Sequence, residues 1–461
     1  MARGMRLVDG NSDGEIAFSG EHAIEVGGIW SLKKTERLPD STVLKFGFFY
    51  GWVMLGVTTI TQICTSPGQT YGISAFNRSF REALNLSDTQ LTGAYMLGTL
   101  LASLPMASVG ALFDRYGGRR TLSGIVFVFG LTCLAVSKVA GLVSLFLVFL
   151  FLRMCGQGAM ELIAANTDAM WFHRKLGTVT GIKTIGSAAA YGTIPVINIW
   201  LIGRFGWRTA YTILGISVWI IMATVLLTLF RDRPESVGLL PDGNLSEEDE
   251  TAAPTEKPKE VNFSAKEAFR TRAYWIMAVG GALWSMIGTG IQFNIQPIFI
   301  EHGFTPQDAA TWFSVLALSS AIMFLLAGVL ADRVRLNLML LVSFGGLLSA
   351  ILLLIHSGSL VTGYITAVFF GVANSFFRAA QATLYVRYYG REHLGKIRGA
   401  LTTILVAASA MGPFVMGFLN DRFGGYGVSL WAFTVIVSLV MPLSLLVTPP
   451  EYPPRKRNRT Y

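Results

Sequence analysis

The sequence predicts an all-α membrane protein, with twelve transmembrane helices arranged as two six-helix, pseudo-symmetric bundles. Three observations carry that prediction. Of the 461 residues, 52% are apolar and only 14% are charged, against about 25% charged in an average soluble domain. Long stretches hold no charge at all: 32 residues over 46–77, 25 over 89–113 and 22 over 209–230. The second half does the same over 273–300, 309–331, 399–420 and 423–450. About 20 mostly apolar residues suffice to cross a bilayer. Finally, the chain repeats itself at a constant offset of 218. Gly110, Asp114 and Arg115 match Gly328, Asp332 and Arg333; Leu176, Gly177, Gly181 and Pro195 match Leu394, Gly395, Gly399 and Pro413; residues 204–206 (RFG) match 422–424. A run of matches across four elements in the same order is one module written twice.

The same numbers exclude other classes. Disorder needs low hydrophobicity and high charge, the reverse of this composition. Three cysteines in apolar runs (Cys64, Cys133, Cys155) do not make a disulfide framework. The net charge of +9 does not read as nucleic-acid binding, because the polar surface such a role requires is missing.

Taken in order, the spans fall near 47–69, 89–112, 121–138, 141–165, 176–202 and 209–230, then 273–299, 309–331, 336–355, 359–385, 397–419 and 428–447. The softest divisions are at Lys138 and near 356–359. Around them the chain divides into a cytoplasmic N-terminal tail (1–45), a first bundle (46–230), a cytoplasmic linker (231–270), a second bundle (271–448) and a basic cytoplasmic tail (449–461). The tail 1–45 has no apolar core or cleavage site of a signal peptide. The linker carries the acidic run 247–250 and reads as flexible. With the N-terminus inside, 28 of the 37 Lys and Arg residues fall in cytoplasmic segments, six in outside loops and three within spans. That positive-inside bias places both termini in the cytoplasm, and the expected location is the plasma membrane, or the inner membrane of a bacterial cell.

Residues 110–120 (GALFDRYGGRR) resemble the loop 2–3 motif of the major facilitator superfamily, G-x-L-x-D-R-x-G-R-[KR]. Residues 328–333 (GVLADR) resemble its shortened echo between spans 8 and 9, and Arg153, Gly156, Gln157 and Gly158 resemble the superfamily's motif in span 4. Within the superfamily, residues 50–52 (YGW), 171–172 (WF), 205–208 (FGWR) and 231–243 (RDRPESVGLLPDG) look like those of the monocarboxylate porter and oxalate:formate antiporter relatives. The resemblance implies a secondary transporter that works by alternating access between two bundles. It also implies a gate in which Gly110, Asp114, Arg115, Asp332 and Arg333 lock one access state.

An ionisable side chain inside a span is costly and marks function. Four stand out: Arg153, Glu161, Lys183 and Arg378. Three cations against one anion favour an anionic substrate. In span 10, Asn374, Arg378, Gln381 and Tyr385 share one helix face, and the planar guanidinium of Arg378 suits a carboxylate. In span 4, Arg153, Gln157 and Glu161 are spaced i, i+4, i+8, with Asp168 continuing the stripe. Arg153 and Gln157 are therefore expected at the substrate, and Glu161 as the proton carrier. Alternatively, Arg153 is structural, Glu161 pairs with Lys183, and Arg378 is neutralised by helix carbonyls or by Glu161. Gln62 and Gln69 flank the breaker Pro67–Gly68 in span 1, and Gln292 and Gln296 precede Pro297 in span 7. These four amides are further substrate candidates, unless they only join helices. Tyr71 and Tyr191 are weaker ones.

The expected partners are a small anionic solute and membrane lipids, with the protein working as a monomer. No enzymatic activity, cofactor or metal is expected. The five histidines show no ligand spacing, and no phosphate-binding loop points to ATP. The function expected is transport of a small organic anion, a monocarboxylate or dicarboxylate, by proton symport or exchange. A carrier of a neutral solute or of an inorganic anion such as nitrate, and a non-transporting sensor, remain as alternatives.

Overall fold

The protein is described by a computed structural model covering residues 48–172, 176–237, 239, 263–389 and 394–450. The N-terminal tail, most of the linker and nearly all of the C-terminal tail lie outside the described residues. The first half contains α1 (Gly51–Cys64), α2 (Thr70–Ser74), α3 (Asn77–Leu84), α4 (Asp88–Ala102), α5 (Met106–Tyr116) and α6 (Gly118–Val136). It continues with α7 (Leu142–Leu152), a π-helical segment (Arg153–Met160), α8 (Glu161–Trp171) and α9 (Leu176–Thr228). The second half contains α10 (Arg272–Glu301), α11 (Pro306–Arg333), α12 (Leu336–Ile355), α13 (Leu360–Tyr389), α14 (Leu394–Phe423) and α15 (Gly427–Leu443).

Among the described residues, nine helical stretches are long and apolar enough to cross a membrane. Uninterrupted helices therefore do not reach the expected twelve, for local reasons. The first span breaks where Pro67, which has no N–H to donate, sits in a 3-10 turn (Ser66–Gly68) between α1 and α2. The second breaks between α4 and α5, just before Pro105 at the N-cap of α5. The fifth and sixth run together as α9, 53 residues long, which turns at Gly206 with φ 76° and ψ 159°, a conformation that favours glycine.

Buried apolar side chains form two clusters. One is built from residues 50–237 together with Phe293, and the other from 263–447 together with Tyr71. Outside them, Leu104, Val143, Leu227, Val361 and Leu439 are largely exposed. A soluble protein would bury such side chains, and in hydrocarbon their exposure costs nothing.

The halves are joined by a cluster of hydrogen bonds where α4 begins. The N-cap Ser87 and Gln90 satisfy each other in a capping box. On that first turn the other half adds its own cap: the Asp421 carboxylate accepts from Asp88 N at 3.2 Å and from Thr89 N at 2.7 Å. The Asp88 side chain in turn pairs with Arg81 at 2.6 Å and accepts from Tyr426 Oη at 3.0 Å and from Asn420 Nδ2. Asn77 Nδ2 donates to Phe293 O at 2.7 Å. Close approach depends on Gly417, where a Cβ would stand 2.5 Å from Thr92 Oγ1.

Candidate functional site

A cavity of about 610 Å³ lies between the halves, a size suited to a small organic ligand. The broken first span contributes Gln62, Thr65, Gln69 and Tyr71, α8 contributes Glu161 and Asp168, and α9 contributes Lys183, Ser187 and Tyr191. From the second half come Gln292 of α10, Ser320 and Phe324 of α11, and Asn374, Ser375 and Arg378 of α13. Asp168 lies near the end of α8 and Lys183 near the start of α9. The cavity therefore extends from mid-depth toward the end of the molecule that carries Asp114, away from the Asp88 cluster.

Six residues expected at the substrate or proton site line this cavity: Gln62, Gln69, Glu161, Gln292, Asn374 and Arg378. Arg378 is exposed within the span, and no carboxylate pairs with it among the described residues. Glu161 is held by one neutral donor among the described residues. Gln69 Nε2 donates to its Oε1 at 2.7 Å and to Thr65 Oγ1 at 3.0 Å. The break at Pro67 is what turns Gln69 back toward α8. At mid-depth Tyr191 Oη donates to Gln292 Oε1 across the halves, and its ring packs on Tyr71 at 4.2 Å between centroids.

Four expected substrate residues stand apart from the cavity. Arg153 is 3% exposed. Its Nε donates to Thr99 Oγ1 at 3.1 Å and its Nη1 to Gly68 O at 3.1 Å, and the guanidinium lies over Tyr95 at 5.0 Å. It ties the broken span to the π-helical segment. Gln157 leaves the cavity because residues 153–160 are π-helical. The i→i+5 bonding of that segment shifts the register, so the i, i+4, i+8 stripe does not form one face. Gln296 is buried with Oε1 unpartnered. Gln381 lines a separate crevice with Gly281 and Phe377.

Sequence reasoning paired Lys183 with Glu161 as one alternative. In the structure Lys183 Nζ bonds Asp168 Oδ2 at 2.7 Å, and Thr58 Oγ1 donates to Asp168 Oδ1 at 2.5 Å. Neither Lys183 nor Asp168 was expected at the substrate. Their presence as opposite charges within one buried pair of spans was the only signal that could have joined them. Ser187, Ser320 and Ser375 gave no signal.

Of the expected gate, Asp114 and Arg115 are exposed, and Arg115 lies over the Tyr116 ring at 5.2 Å. A Cβ on Gly110 would meet nothing within 4 Å. The loop is fastened within its own half, where Arg119 N donates to Asp232 Oδ1 at 2.7 Å. Arg333 is exposed, and the side chain of Asp332 lies outside the described ones. Among the described residues, no ion pair joins the halves at this end.

The family model described as Major Facilitator Superfamily matches residues 46–404 and 285–461. The 3-(3-hydroxy-phenyl)propionate transporter of Escherichia coli (strain K12) is 26% identical over 311 residues, covering 65% of this chain and 71% of that one. Monocarboxylate transporter 10 of Danio rerio is 25% identical over 401 residues, covering 83% and 75%. Among solved structures, a bacterial homologue of the human lysosomal transporter Spinster matches with a TM-score of 0.65 at 17% identity, over 86% of this chain and 96% of that one. At such identity the likeness speaks of the fold alone. With the match running through both halves and the motif of residues 110–120 at the same place in the topology, the chain belongs to the Major Facilitator Superfamily of transporters.

Proposed function

We infer that the protein carries a small organic anion across the membrane by alternating access between two six-helix bundles, with Arg378 as the anchor for the anion. One observation carries this reading: Arg378 faces a cavity at the interface of the halves with no carboxylate to neutralise it among the described residues. A cation left unpaired inside a membrane protein is expensive, and a substrate carboxylate that accepts two parallel hydrogen bonds offsets that cost. Gln62, Gln292 and Asn374 supply further donors. The relatives' names point the same way, since both the monocarboxylate and the hydroxyphenylpropionate carriers move carboxylates.

Glu161, bonded only to an amide, is the group suited to carry a proton with the substrate. A protonated Glu161 leaves Arg378 as the one unbalanced charge in the cavity, which a single anion cancels. Both termini are cytoplasmic on the distribution of basic residues. The cavity then opens inward, and the Asp88 cluster closes the outer side in the plasma membrane.

The amide-rich lining favours a neutral hydroxylated solute as the second reading. A thermal-shift screen of carboxylates, sugars and amines on the purified chain separates the two, followed by liposome uptake with and without a pH gradient. Carboxylates alone should stabilise the protein. Stabilisation by neutral solutes without carboxylates replaces the anion reading with the second one.

A further inference from the structure

The cavity holds two cations, one from each half, and they are not in the same state. Arg378 has no carboxylate partner among the described residues. Lys183 is bound to Asp168 at 2.7 Å. The second oxygen of that carboxylate accepts from Thr58 Oγ1 at 2.5 Å, and the same hydroxyl oxygen sits 3.1 Å from Leu55 O. Thr58 is fully buried and Asp168 nearly so. Packing in α1 thus fixes the carboxylate, and the carboxylate fixes the lysine.

We propose that Asp168 determines the substrate's charge: by keeping Lys183 neutralised, it leaves the cavity one free cation, so that monocarboxylates are accepted over dicarboxylates of the same length. This rests on the reading of Arg378 as the anion anchor. A dicarboxylate held at one end by Arg378 brings its second carboxylate toward a wall where Lys183 is already neutralised by Asp168, with no cation free to receive it. Leaving a charge there unpaired is costly. An amide in place of the Asp168 carboxylate still accepts from Thr58. It cancels the charge that holds Lys183, which then faces the cavity opposite Arg378 as a second cation.

The test compares length-matched acids on the purified full-length chain: butanoate with succinate, and hexanoate with adipate. Affinities are read from thermal shifts against concentration and by competition. The wild type should bind each monocarboxylate more tightly than its dicarboxylate partner. Asp168→Asn should move that preference toward the dicarboxylate by about fivefold, the size of one modest ion pair. The double variant Asp168→Asn/Lys183→Met should lose the gain. A wild type that binds the dicarboxylates as tightly as their partners overturns the proposal, and so does an Asp168→Asn variant with the wild-type ratio. The wild-type ratio requires no variant, so it decides even if Asp168→Asn fails to fold. Absence of all carboxylate binding overturns the anion reading and this proposal together; binding with the wrong ratio overturns this proposal alone.

Discussion

The carboxylate of Asp421, at the end of α14, accepts from the backbone N–H groups of Asp88 and Thr89 at the start of α4 in the other half. Free N–H groups in the first turn of a helix and its positive dipole end both favour a carboxylate there. Here that carboxylate is supplied across the interface between the halves, so a single side chain couples helix capping to closure of the Asp88 end.

Asp421→Asn should weaken that closure. Hydrogen bonds to a charged acceptor contribute about 1.5–3 kcal/mol each, and a loss of about 1.4 kcal/mol is a tenfold change in population. With Ser320→Cys as a reporter in the cavity wall, labelling by a membrane-impermeant thiol reagent from the Asp88 side should rise by roughly tenfold. Unchanged labelling would show that the cap does not hold the closed state.

Arg378→Gln should weaken carboxylate binding by about 1.5–3 kcal/mol, the range for a hydrogen bond to a charged group. Arg378→Lys keeps the charge but not the fork, and should retain only part of the affinity. Titration by thermal shift measures both, and wild-type affinity in Arg378→Gln would remove this residue from the site.

Glu161→Gln should abolish acceleration of uptake by a pH gradient while leaving exchange of preloaded substrate intact, because the amide keeps a partner for Gln69 and cannot bind a proton. Counterflow and gradient-driven uptake in the same liposomes distinguish the two. Equal loss of both would make Glu161 structural.

Arg153→Met should destabilise the fold without a specific effect on affinity. It leaves Gly68 O and Thr99 Oγ1 without this donor, a cost of about 1–3 kcal/mol for each buried polar group left unmatched. The expected result is a lower Tm with an unchanged Kd for the folded fraction. A weakened Kd at wild-type stability would return Arg153 to the substrate.

The family and the helical class were legible because they rest on local signals: charge-free runs, the motif over 110–120 and the repeat at a constant offset. That Arg378, Asn374 and the amides beside Pro67 would share a cavity was legible for the same reason, since polar groups are conspicuous in an apolar span. Arg153 and Gln157 fall outside the cavity because residue spacing assumes regular α-helical turns, and nothing in RMCGQGAM announces a π-helical segment. Lys183 had two carboxylates within reach by sequence, and the packing of α1, which places Thr58 against Asp168, decided between them. The bond from Asp88 to Asp421 joins positions 333 apart, and no periodic pattern reports a contact at that separation.

The repeat makes the Asp421 cap informative in another way. Shifted by 218, Asp421 corresponds to Gly203 and Asp88 to Pro306. One counterpart has no carboxylate to offer, and the other has no N–H to receive it. On that second diagonal α11 begins with its own capping box between Thr305 and Asp308, closed within one half. Two copies of one module have therefore kept their shape and divided their labour. At the Asp88 end one diagonal is latched by a carboxylate, while the other meets deeper in, where Ser314 Oγ donates to Gly192 O; like a lid with a latch on a single side, its opening should begin at the latch.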